Sequence, residues 1–341
     1  MFRAIVIVVD VRSPDVDMPM HLRRDLESSS ATTVAEILRA INVLGIKTYV
    51  YSSPYEFSLN AEEHQTDLIW PLYGGEGSRN RTAIVAAICE AHGLKYVGPD
   101  VYGHIICHDK EVAKNLAGSL GLVTPWHRVI RSHNDLQLIR HLPLPFVVKP
   151  LLEGSSIGIS QRNLIRDHEA AIQLTAELLN TFAGPVIIED FVAGKEVSYN
   201  YIAAGNAHHW SYSEIYVKDN AHYFDSHLFD AEEKIKMMLP RSVRTIDELL
   251  TEDDRVKLDC YISAVGQIVY CRIDGKHNNG KFVFIEATPD AHLWRGAAFP
   301  ASFINKGWSY VDVISAIISA AVRSHLYRST SDSRIGGNNR I

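Results

Sequence analysis

The stretch Val147-Val-Lys-Pro-Leu-Leu-Glu-Gly-Ser-Ser-Ile-Gly-Ile-Ser160 places a lysine at the end of a short apolar run, a few residues before a loop of small residues. Pro150 cannot donate to a sheet ladder. Gly154-Ser155-Ser156 lack the bulk that would keep backbone N–H groups away from an anion. Such a loop can aim several donors at phosphate oxygens while Lys149 supplies a compact positive charge. No G-x-x-x-x-G-K-S/T occurs in the 341 residues, so this is not the Walker arrangement. A strand, a turn and a second strand with a snorkelling lysine would suit the same segment equally well. The flanking sequence has to decide.

On the N-terminal side, Asp109 is a good N-cap for a helix that runs to Leu120 and stops at Gly121. Further upstream, residues 4 to 9 read as a buried parallel strand and Ser30 to Leu44 as an amphipathic helix. Strands follow at Lys47 to Tyr51, Leu68 to Leu72 and Lys95 to Val97, with a helix from Arg81 to His92. This alternation predicts an open parallel α/β layer over residues 1–105, with ligands at the loops 10 to 29 and 73 to 80. On the C-terminal side, strand and helix patterns continue to about residue 182. A new region then opens with Val186-Ile-Ile188 and Glu196 to Ile202. The polar stretch 213 to 243 reads as a long loop or flap. Ile268 to Asp274 and Phe282 to Glu286 predict a hairpin joined by Gly275 to Gly280. A helix covers about Tyr310 to Leu326, and residues 328–341, rich in Ser, Gly, Asn and Arg, predict a disordered tail.

The formal net charge is −6 with Lys and Arg scattered, which argues against a nucleic-acid surface. No apolar run approaches a membrane-spanning length, and the N-terminal run is too short for a signal segment. Cys89, Cys107, Cys260 and Cys271 sit singly without metal-type spacing, as expected of reduced core thiols in a cytoplasmic protein.

Five pieces occur in a recognisable order. They are Asp109-Lys110, Lys149 with Gly154-Ser155-Ser156, Ile187 to Glu196, Arg272-Ile-Asp274, and Phe284-Ile-Glu-Ala-Thr-Pro-Asp290. In that order the chain resembles the ATP-grasp superfamily, and within it the D-alanyl-D-alanine ligase-like group, over nearly its whole length. Gly74-Gly-Glu-Gly-Ser-Arg-Asn-Arg81 also resembles a loop of that group. The resemblance implies a three-domain architecture, α/β with α+β character in the ATP-grasp part. Its parts would be an N-terminal domain (1–105), a central subdomain (106–184) and a C-terminal subdomain (185–327), with ATP between the last two. It further implies a ligase that activates a small carboxylate with ATP as an acyl phosphate and couples it to an amine.

The resemblance also implies roles for single residues. Lys110 and Lys149 would meet the α and β phosphates, and the Gly154, Ser155 and Ser156 loop would close over the γ phosphate. Glu189, Asp190 and Val192 would read the adenine, and Glu196 the ribose hydroxyls. Asp274, Glu286 and Thr288 would hold Mg2+ or Mn2+, and Arg272 with Ser155 would be catalytic. Glu27, Arg79 and Arg81 would contact substrate. The expected partners are a small-molecule acid and amine, with a homodimer left open and neither nucleic acid nor membrane involved.

The sequence departs from that pattern in four places. Thr288 stands where the group has an asparagine, and a hydroxyl is a shorter, poorer metal ligand than an amide oxygen. The glycine that helps form the oxyanion hole is missing from Thr288-Pro-Asp-Ala-His292. No lysine follows Tyr223-Phe-Asp at the flap, where His227, Lys234 or Lys236 are the candidate replacements. Asp10 to Pro14 and Asp25 to Ser30 match the substrate loops only loosely. The alternatives are a nucleotide-binding module without turnover and an ester-forming or cyclising ligase.

Overall fold

The structure, a computed structural model, describes residues 2–13, 17–205, 207–232 and 241–335. Strand β1 (Ala4–Val9) is buried along its whole length. Its alternate side chains divide between two cores, as the period of a strand requires. Ile5, Ile7 and Val9 pack in one core with Ile37 and Ile41 of α1 (Ala31–Val43), while Val6 and Val8 pack in the other with Phe57 of α2 (Pro54–Asn60) and Val85 of α3 (Ile84–Ala91). With β2 (Lys47–Tyr51), β3 (Leu68–Leu72) and β4 (Lys95–Tyr96) it forms a parallel sheet in the order β2-β1-β3-β4. Burial on both faces explains its near-continuous apolar sequence. Ser30 caps α1 by accepting from the Thr33 N–H.

Helices α4 (Val101–His108) and α5 (Lys110–Ser119) follow, with Asp109 between them accepting from the N–H groups of Glu111 and Val112. The expected boundary between residues 105 and 106 falls inside α4. The next sheet is antiparallel, in the order β5-β8-β6-β7, from β5 (His127–Ile130), β6 (Phe146–Pro150), β7 (Leu164–Ile165) and β8 (Val186–Asp190). Helix α6 (His168–Phe182) covers it. Because β8 pairs with both β5 and β6, it belongs to this middle sheet, and the expected boundary at 184/185 falls before its closing strand.

A five-stranded antiparallel sheet, in the order β11-β10-β9-β12-β13, completes the molecule. Its strands are β9 (Lys195–Ala204), β10 (Ala207–Val217), β11 (Arg241–Thr245), β12 (Tyr270–Asn278) and β13 (Lys281–Thr288). Helix α7 (Glu252–Val265) packs on it, and so do α4 and α5 through Ile106, Ala113 and Ala117. The helix that starts at Lys110 therefore rests on the third sheet, not the second. After α8 (Ala298–Ile304), helix α9 (Tyr310–Ile335) returns to the first sheet, placing Val313, Ile314 and Ile317 against Ile5 and Ile7.

Three local expectations are corrected. The polar stretch from 213 begins as strand β10 and ends as β11, because buried Glu214 is neutralised by Lys195 and Arg244, at 3.1 and 2.7 Å. The hairpin connection shrinks from six residues to Asn279-Gly280, both at positive φ as a two-residue turn of the primed type requires. The region expected to be disordered from residue 328 is helical through Ile335, and no glycine interrupts the sequence before Gly336; residues 336–341 lie outside the described residues. Cys260 is exposed, while Cys89, Cys107 and Cys271 are buried thiols as expected. Among the described residues, no helix is long and apolar enough to cross a membrane.

Phe284 is fully buried on β13, with its ring 5.0 Å from that of Tyr261 on α7. Phe284→Ala should cost about 3–5 kcal/mol of stability. Chemical denaturation would check this, and a loss below about 1 kcal/mol would contradict the packing described.

Candidate nucleotide and substrate cleft

The three sheets enclose a cavity of about 660 Å³. Lys149 enters it from β6, where it is buried, and its Nζ lies 2.5 Å from Glu189 Oε1. Lys149 pairs in register with Ile187, so Glu189 lies on the diagonal two residues further along β8, within reach of a long side chain. The second carboxylate oxygen of Glu189 meets Lys114 Nζ at 2.9 Å. Lys114 sits one turn beyond Lys110 on α5, and i, i+4 neighbours share a helix face. That spacing was the available signal for Lys114, which the motif comparison passed over. Burial alone would raise the Glu189 carboxyl, but Lys114 and Lys149 hold it down at about 2. Burial lowers Lys114 to about 8 against the pull of Glu189. Lys149 is raised, because Glu189, Glu286 and Glu196 outweigh its burial. Glu189, expected to read the adenine, thus spends both side-chain oxygens on lysines.

Lys110 is buried at the start of α5 and donates to the carbonyls of Leu151, at 3.3 Å, and Glu153. Its Nζ lies 3.9 Å from Glu286. Burial lowers this lysine, and Glu286 opposes the shift. Lys110 thus grips the chain just before Gly154-Ser155-Ser156. In that loop Ser155 and Ser156 adopt left-handed backbone, at φ of 50° and 61°. The Gly154 N–H donates to Glu27 at 2.5 Å, and a Cβ at residue 154 would lie 2.6 Å from the same oxygen, so only glycine permits this approach. Ser156 Oγ donates to the Phe229 carbonyl of the flap at 2.9 Å.

Arg272 and Asp274 on β12 face Thr288 and Glu286 on β13 as register partners. Arg272 makes two 2.7 Å bonds to the Asp274 carboxylate, which also accepts from Ser198 Oγ at 2.7 Å. Among the described residues, no three His, Cys, Asp or Glu side chains converge as a metal cage. Asp274 and Glu286 nonetheless line the cavity as opposed hard-oxygen donors with Thr288 beside them. That donor set fits a Mg2+ or Mn2+ ion completed by phosphate oxygens and water.

Asp190 and Val192 also line the cavity, as does Glu196. Glu196 bonds Lys276, its register partner on β12, at 2.8 Å. Lys276 is a missed residue that carries buried positive charge beside the flap, with Nζ 5.3 Å from the centre of the Phe224 ring. Glu27 lines the cavity, and burial raises its carboxyl against the opposing pull of Arg81. Arg81 is buried, bridging Glu27 at 2.7 Å and Glu153 at 2.9 Å, and Arg79 is exposed. Neither of these expected substrate contacts lines the cavity. His227 is exposed and stacked on Tyr223, while Lys234 and Lys236 lie outside the described residues. His292, passed over by motif comparison, lines the cavity with Nδ1 accepting from the Trp294 N–H at 3.2 Å and Nε2 buried without a partner among the described residues.

Glu189 protonates far more readily in the unfolded chain, near pH 4.3, than in the fold, near 2. Its depressed pKa therefore contributes stability that is present above about pH 5 and lost as pH falls towards 2. Glu189→Gln should cost about 3–5 kcal/mol at pH 7, because two buried lysines lose their partner. That penalty should shrink as pH falls from 5 to 2, measured by denaturant midpoints of both chains. A penalty independent of pH would contradict the triad.

The fold is shared with solved structures. D-alanine–D-alanine ligase from Bacillus anthracis complexed with ATP superposes with a TM-score of 0.70, over 95% of this chain and 99% of that one, at 16% identity. The VanG D-Ala:D-Ser ligase from Enterococcus faecalis gives 0.66 over 94% and 100%, at 18% identity. In sequence, D-alanine–D-alanine ligase A of Salmonella typhimurium is 24% identical over 287 residues, spanning 78% of this chain and 73% of the relative. The Thermoanaerobacter ligase (strain X514) is 24% identical over 267 residues, spanning 76% and 72%. The family model described as D-ala D-ala ligase C-terminus matches residues 120–319, and the chain belongs to that family of ATP-grasp ligases.

Proposed function

We propose that this chain is an ATP- and Mg2+-dependent carboxylate–amine ligase. It would convert a small acid, an amino acid or similar, to an acyl phosphate and join it to an amine, giving an amide, ADP and phosphate. The observation that carries this reading is the meeting in one cavity of the Lys110 and Lys149 cations with the Asp274 and Glu286 pair, with Lys149 held through Glu189 by Lys114 behind it.

A nucleoside triphosphate is a polyanion, and ammonium groups held in low dielectric offset its charge strongly. Lys110 and Lys149 are assigned to the α and β phosphates, with Glu189 and Lys114 fixing Lys149 in position. Base-edge contacts fall to the backbone from Asp190 to Val192, and Glu196, oriented by Lys276, accepts from the ribose hydroxyls. Asp274, Glu286 and Thr288 would hold Mg2+, which spreads the charge developing on the transferred phosphoryl group. The loop at 154–156 covers the γ phosphate, with Ser155 N–H and Oγ available to the reacting oxygens. Arg272, fixed by Asp274, faces the acyl phosphate and the oxyanion formed when the amine attacks.

The relatives' names make D-alanine the first acid and amine to try. The substrate-side loops differ, and Arg81 is tied to Glu27 and Glu153, so other small amino acids belong in the same screen. The second reading, a nucleotide-binding module without turnover, is favoured by the flap, where no lysine among the described residues lines the cavity.

Phosphate release from ATP and Mg2+ in the presence of paired amino acids separates the two. Stimulation by at least one pair is expected; tight ADP binding without turnover on any pair supports the module instead. Lys149→Ala should lower turnover by about 10²–10³-fold, the scale of losing one positioned charge donor. Asp274→Asn should raise the Mg2+ concentration for half-maximal activity at least about tenfold. An unchanged Mg2+ titration would remove Asp274 from the metal site.

A further inference from the structure

His292 occupies the segment that lacks the expected glycine, and its environment specifies what it can do. The Trp294 backbone N–H donates to Nδ1 at 3.2 Å, so Nδ1 carries no proton and the neutral ring bears its hydrogen on Nε2. That Nε2 is buried and, among the described residues, has no partner. An unsatisfied buried donor costs stability and calls for an explanation. His292 lines the cavity together with Arg12, Arg272, Asp290 and Ala297. Burial, with the Arg12 and Arg272 cations, pushes the imidazole down to about 4, which keeps it neutral at pH 7.

We infer that His292 is a catalytic residue whose Nε2–H donates a hydrogen bond to the acyl oxygen of the bound acid, alongside Arg272. The inference rests on the ligase reading above. In the step concerned, the amine nitrogen forms a bond to the acyl carbon and the carbonyl π pair moves onto oxygen, where Nε2–H and Arg272 receive the charge. Collapse re-forms the C=O bond and breaks the C–O bond to phosphate, which leaves with its electron pair. The ammonium proton passes to the departing phosphate. A neutral imidazole suits this role, because it supplies a directed donor without adding a third cation beside Arg12 and Arg272.

The test uses the full chain with ATP, Mg2+ and the acid–amine pair that best stimulates phosphate release. His292→Leu keeps the approximate volume and removes the donor, and His292→Gln keeps an N–H donor. Calorimetric ADP binding reports that each variant is folded. The expected result is a kcat for amide formation about 10²-fold lower for the Leu variant, with KM for ATP unchanged. The Gln variant should recover at least about tenfold of that loss. Equal kcat in wild type and the Leu variant, an effect confined to KM for the acid, or Leu and Gln variants equally slow would each overturn the role of His292 alone. A wild-type chain that turns over no pair would overturn the ligase reading, and the inference with it.

Discussion

The triad Lys149–Glu189–Lys114 is the interaction on which the rest of the cavity depends. Each member belongs to a different element: β6, β8 and α5. Helix α5 rests on the third sheet while the two strands belong to the second, so the triad joins the two halves that face each other across the cleft. Taking three charges out of water is costly, and such a set survives only where every member has a partner. The arrangement carries one excess positive charge, and Lys110 adds another a turn away on the same helix. An anion entering the cavity therefore meets cations whose desolvation was met during folding, not on binding.

Much of this architecture was legible in the sequence because it follows local rules. Strand β1 is a continuous apolar run because both its faces are covered, Asp109 is a capping residue at a helix start, and Asn279-Gly280 is a turn signal. The expected six-residue hairpin loop began at Gly275, which the structure keeps inside β12. Inside the sheet it is a requirement of close approach, since a Cβ there would lie 2.5 Å from the Val283 carbonyl oxygen. Strand β10 looked like loop for a similar reason. Its buried Glu214 becomes compatible with a strand only when Lys195 and Arg244 arrive from the neighbours on either side.

The candidate site was legible as a set of residue types, less so as a set of partners. Lys110, Lys149, Glu196, Asp274 and Glu286 all line one cavity, as their order along the chain suggested. Which cation meets which carboxylate depends on register and diagonal pairing, which no single segment encodes. Glu189 changed from a ligand contact to the centre of an ion triad. Arg81 changed from a substrate contact to a strut. Lys276 and His292 carry no motif, and for Lys114 the only local signal is its i, i+4 spacing from Lys110; what singles them out is the burial of their polar groups in the assembled sheets.

The strut from Arg81 ties the segment before α1 to the segment that follows β6. Arg81 holds Glu27 and Glu153 together, and Glu27 in turn accepts from the Gly154 N–H at the head of the small-residue loop. The loop is tied on its other side to the flap through Ser156 and Phe229. Asp10, just after β1, accepts from the N–H groups of Gly74 and Gly75 and from Ser28 Oγ, fixing the loops that carry those residues to the first sheet. The small-residue loop is therefore tied at once to the segment before α1 through Glu27 and to the flap through Phe229.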